Sequence, residues 1–245
     1  MATAAPAARR IRSERLFYFG MSVAILCAVL AGFGPSFYVR GIVPPYAPFA
    51  PLTPLVILHG TVFTAWVLVF MAQTVFISTQ RADLHRRFGY WAAGLAAAMV
   101  VLGTVTAAFA IHRFPTPPGI SGLSWFAIPL FDMPTFAAFV WLGIANRSRA
   151  QYHKRYMLMS MMVMLPPAMG RLPVPPIIPL PIHIFGIPDL FLIALIVWDL
   201  RSRGRLHPVT MGAGAFLIFT QVFRLLIWNT APWLAFAGWV GSLTA

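Results

Sequence analysis

LVILHGTVFTAWVLVFMAQTVFIS, residues 55–78, decides what kind of protein this is. The run contains no Asp, Glu, Lys or Arg. At 1.5 Å per residue a helix of this length reaches about 36 Å, enough to cross the roughly 30 Å hydrocarbon core of a bilayer. Three of its side chains are poor company for lipid: His59, Trp66 and Gln73. Their even spacing of seven residues puts them on one stripe of a helix. The run therefore reads as a membrane-crossing helix with a polar line that faces protein, a cofactor or water.

The rest of the chain extends that reading. Of its 245 residues, 60% are hydrophobic and 9% charged, where a soluble domain carries about 25% charged residues. Further apolar stretches at 16–34, 90–111, 124–146, 156–172, 184–200 and 211–230 also qualify as spans. The expected fold is an all-α integral membrane helical bundle of about seven transmembrane helices. A basic amino-terminal tail would occupy 1–15, the bundle 16–230, and an outer interfacial segment 231–245. Residues 165–188 hold eight prolines, so no continuous helix crosses them and an outer lid or re-entrant loop is expected.

Charge fixes the expected orientation. Arg9, Arg10, Arg12 and Arg15 precede the first span. Arg81, Arg86 and Arg87 fall between the second and third, and Arg147, Arg149, Lys154 and Arg155 between the fourth and fifth. Arg201, Arg203 and Arg205 lie between the sixth and seventh. Only Arg40, Arg113 and Arg171 fall on the other side, and Arg224 lies within the last span. The positive-inside rule then gives an inner amino terminus and an outer carboxyl terminus in a bacterial cytoplasmic membrane. The net charge of +13 is dispersed in short bursts rather than gathered in one patch, which excludes a nucleic-acid partner. A single cysteine, Cys27, excludes a disulfide framework. The single lysine, Lys154, stands in an inner loop, so a retinal Schiff base in the last span is excluded. No Walker loop, GxGxxG or HExxH occurs.

Two groups of residues carry chemistry. The first is a repeated phrase: RADLHRRF (81–88), RAQYHKRY (149–156) and the shorter RGRLHP (203–208). It sets Arg81 with His85, Arg149 with His153, and Arg203 with His207 at the inner starts of three helices. Such residues can cap helices and bind anionic lipid headgroups. Alternatively, two or three of the imidazoles converge on a metal or haem iron. Asp83 and Asp199 can pair with arginines in the same layer. The second group, His59, Asp132, Arg171, Asp189 and Arg224, maps to the outer leaflet, with His112 and His183 at its edge. It reads either as two structural ion pairs or as a polar cavity open to the outside.

His59, then Gln73, then LHRRFG at 84–89, followed by YHKRYMLM (152–159) and GRLHPVT (204–210), resembles a group of bacterial multi-spanning membrane proteins of unsettled activity. Part of that group is likened to b-type cytochromes. The resemblance implies a membrane redox component binding b-type haem or quinone. His59 with His112 or His183 would be outer ligands, His85 with His153 an inner pair, and nearby arginines would neutralise haem propionates. The competing readings are a small-molecule transporter or channel built on the outer Asp/Arg/His cluster, and a structural or assembly subunit without chemistry.

Overall fold

The computed structural model describes residues 4–43, 51–112, 119–175 and 177–245, with side chains from residue 10 onward. Arg113, the side chain of Arg9, Pro176 and the first three residues lie outside them. Among the described residues the chain is all-α with no strand.

Helix α1 (Ala4–Phe33) starts with alanines, arginines and a glutamate, all good helix formers, so most of the residues read as a tail are its first turns. It runs into a π-helical turn at Gly34–Tyr38. Helix α2 (Pro54–Ser78) is opened by Thr53, whose hydroxyl accepts from the Val56 N–H at 3.4 Å, with Pro54 in the first helical position. A short turn in which Gln80 takes φ 64° leads to α3 (Ala82–Ala110). Then come α4 (Gly122–Trp125), α5 (Ala127–Ala145), α6 (Ala150–Val163) and α7 (Pro166–Met169). A second π-helical turn, Ile182–Gly186, leads into α8 (Ile187–Arg203), which stops at Gly204 in the left-handed region, φ 70°. Helices α9 (Pro208–Ile227) and α10 (Ala231–Ser242) complete the chain.

Among the described residues, six helices are long and apolar enough to cross a membrane: 10–38, 54–78, 82–110, 122–145, 182–203 and 208–227. The expected span at 156–172 takes a different form. Pro166 and Pro167 break it, leaving the 14-residue α6 and the one-turn α7. Leu158, Met159, Ser160, Met161, Met162 and Val163 are consecutive and all buried, so α6 is enclosed on every side, packed by α5, α8 and α9. It starts beside the ends of α5 and α8, and α7 lies against the far end of α1 at Gly32. Residues 150–169 thus run the length of the bundle as its centre. Met157 and Met161 pack here as core residues.

Large apolar side chains cover the outside of the bundle. Leu58, Leu68, Val101, Leu190, Ile193 and Phe219 are all exposed, spread over α2, α3, α8 and α9. A belt of this extent needs an apolar solvent. The segment after 230 is helical and packs on α3 and α4, with the Trp233 indole donating to the Leu123 carbonyl at 2.9 Å.

Candidate functional site

The basic end of the bundle collects the three repeated phrases, and the second stands between the other two. The His153 ring Nδ1 donates to the Gly143 carbonyl at 2.8 Å, one of the carbonyls that the last turn of α5 leaves without a helical partner. That fixes the tautomer and leaves Nε2 open. The His85 ring lies 5.9 Å away, centroid to centroid, at 87°. The His85 ring lies beside the main chain of Gln73, and its Nδ1 is buried without a partner. Both amide atoms of Gln73 are also buried without a partner, as is the indole nitrogen of Trp66. The polar stripe of α2 therefore ends against the histidine pair. Among the described residues, His85 and His153 are the one histidine pair in ring contact.

On its other side the second phrase makes an ion-pair network. Arg155 and Asp199 pair with both side chains wholly buried. Arg155 also donates to the Gln151 carbonyl at 2.9 Å and to its side-chain oxygen at 2.7 Å. The second oxygen of Asp199 accepts from the His207 N–H at 3.0 Å and the Thr210 hydroxyl at 2.5 Å. Lys154 pairs with Glu14 of α1 and lies 4.9 Å from the Tyr18 ring centroid. His207 is only 2% exposed, which corrects its assignment as a headgroup ligand. Its Nδ1 accepts from the Val209 N–H at 3.1 Å, capping α9, and its ring packs on Tyr152 at 4.7 Å. Burial first, then the charges of Arg155 and Arg203, push its pKa down to about 4, with Asp199 opposing them. In the first phrase, Arg81 pairs at the surface with Asp83, while Arg149 and Arg203 flank the network.

At the far end the charges neutralise one another. Arg224 pairs with Asp132 at 2.5 Å, both nearly inaccessible. It also donates to the carbonyls of Ile128 at 3.1 Å and Thr220 at 2.9 Å, and stands over the Phe185 ring at 5.1 Å. Asp189 accepts from Gln221 at 2.9 Å rather than from Arg171, which corrects the expected second ion pair. Arg171 instead donates to the Pro167 carbonyl at 2.5 Å and lies over the Phe33 ring at 4.7 Å. The expected outer ligands are drawn to separate contacts. His59 packs on Phe63 with centroids 3.9 Å apart, and His112 Nε2 donates to the Gly241 carbonyl at 2.9 Å. His183 is buried in the second π-helical turn with Nε2 unpartnered.

Glu14, Tyr18, Gln151 and Tyr152 were not singled out in the sequence. The available signal was Glu14, the one glutamate, set among the arginines of the first basic burst.

Chemically, the His85–His153 pair is the more capable of the two ends. His153 has one ring nitrogen held by main chain, the usual outer-shell arrangement of a metal-ligating histidine, and His85 has a buried nitrogen without a partner. Imidazole is a donor type that haem iron takes, and these two rings stand 5.9 Å apart, centroid to centroid. No group of three or more His, Cys, Asp or Glu side chains able to hold a metal ion occurs among the described residues. Compared with family models, curated proteins and solved structures, the chain matches none.

Proposed function

We propose that this chain is a multi-pass redox component of the bacterial cytoplasmic membrane that holds a b-type haem or a quinone at its basic end. The basic end faces inward, and residues 150–169 make a seventh pass through the middle of the bundle. The observation that carries the reading is the pair of perpendicular imidazoles 5.9 Å apart, His85 with a buried and unpartnered nitrogen. A haem bound there would supply a one-electron couple. His85 and His153 would hold it, and the Gly143 carbonyl keeps the His153 tautomer ready for it. Arg86, next to His85, offers a fork of donors to a propionate. For a quinone, the unpartnered Gln73 amide and Trp66 indole would be the donors available to a carbonyl oxygen.

The far-end cluster supports a transporter less well. Asp132 is neutralised by Arg224, and Asp189 already accepts from Gln221, so the cluster ties helices together. The test is a reduced-minus-oxidised visible spectrum of detergent-purified protein expressed with ample haem, then a titration of the protein with ubiquinone. A b-type band, or saturable quenching of tryptophan fluorescence by the added quinone, is expected. The absence of both signals would remove the redox reading.

A further inference from the structure

The chain has only five acidic residues, and each is engaged within it. Glu14 meets Lys154 and Gln151, Asp83 meets Arg81, and Asp132 meets Arg224. Asp189 meets Gln221, and Asp199 meets Arg155, Thr210 and the His207 main chain. No carboxylate side chain remains for Arg12 and Arg15. These two guanidinium groups frame a cavity of about 520 Å³, completed by Ile11 and Leu16 of α1 and by Ser78 and Gln80 where α2 turns into α3. The volume falls in the range of about 300–1,000 Å³ typical of small-ligand sites. Ile11 and Leu16 are 54% and 57% exposed, so apolar surface and the two arginines share the lining of an open groove.

We propose that this cavity binds the phosphate of an anionic phospholipid, with Arg12 and Arg15 as paired donors and the Gln80 amide as a third. The anion must come from outside the chain, because the chain's own acids are used. Guanidinium forks match phosphate oxygens in pairs, and basic pockets at the cytoplasmic membrane boundary favour such headgroups. Position selects a lipid over a soluble phosphate: α1 becomes continuously apolar from Leu16, and α2 leaves its apolar run at Ser78. The cavity therefore opens at the level where a headgroup meets its acyl chains. The site is separate from the histidine pair and does not depend on the redox reading.

The experiment is a set of thermal melts in a neutral detergent. Wild type, R12Q/R15Q and R201Q/R205Q are titrated with phosphatidylglycerol, phosphatidylcholine and soluble glycerol 3-phosphate. R201Q/R205Q removes the same charge from exposed positions at the same end. Phosphatidylglycerol is expected to raise the wild-type midpoint, with half-saturation shifted about tenfold in R12Q/R15Q and less than about twofold in R201Q/R205Q. The other two additives should leave the midpoint unchanged. Equal weakening in both variants, or no response of wild type to phosphatidylglycerol, would overturn the site. A response to glycerol 3-phosphate matching that to phosphatidylglycerol would reassign it to a soluble anion.

Discussion

His207 shows how far a side chain's role depends on what surrounds it. Its sequence context is basic and interfacial, yet it is buried, neutral and caps a helix. With its folded pKa down at about 4 against an ordinary value near 6.5, the folded chain binds fewer protons than the unfolded chain between those two values. Stability therefore falls as pH drops from about 6.5 to about 4, by at most about 3 kcal/mol from this group. His207→Asn keeps an acceptor at the cap and removes the titration. The difference between wild-type and variant melting midpoints should widen against wild type across that window, and parallel curves would contradict the assignment. The Arg155–Asp199 pair gives a second expectation. Arg155→Met leaves a carboxylate buried without its cation and should cost about 3–5 kcal/mol, with the double change R155M/D199L recovering much of it. Denaturant unfolding in detergent checks both. The pairing of Asp83 and Asp199 with arginines of their own layer was legible, because few acids share that layer. The donor to Asp189 was not legible, because only the rotation of the helices decides whether Gln221 or Arg171 reaches it.

Helices give their positions away when lipid surrounds them and hide them when protein does. The stretch at 55–78 had to be continuously apolar, so its limits match α2 within a residue. Helix α6 touches other helices all round, so its length and polarity are free of that demand. It carries Ser160 and Arg155 in its buried surface and ends at a proline pair. The contact of α7 with α1 depends on Gly32. A Cβ there would stand 2.2 Å from the Ala168 carbonyl oxygen and 2.6 Å from its carbon, both main-chain atoms that cannot swing aside. Gly32→Val should therefore push α1 and α7 apart and lower stability by about 1–3 kcal/mol. Gly20→Val, at a position with open space around it, serves as the control in the same melts.

At the scale of the molecule, the fold class followed from composition, and the polar stripe of α2 followed from spacing. The pairing of His85 with His153 was implied only by the family resemblance, and spacing alone did not show it, because their phrases lie on helices whose angular placement depends on packing by α5. Orientation is checked directly. Cys27 is the single cysteine, so Cys27→Ala gives a clean background for new ones. A membrane-impermeant maleimide added to intact cells should label a cysteine placed at Asn229 and spare one placed at Gln80. The reverse pattern would invert the protein. Variant-resolved visible spectroscopy decides whether the histidine pair is a haem site. Reduced-minus-oxidised spectra would be taken for wild type and for His85→Ala, His153→Ala, His59→Ala and His112→Ala, each checked for a normal melting midpoint. A b-type signal is expected in wild type that disappears with His85 or His153 and survives loss of His59 or His112. A signal that survives loss of His85 and His153 but disappears with His59 would contradict it.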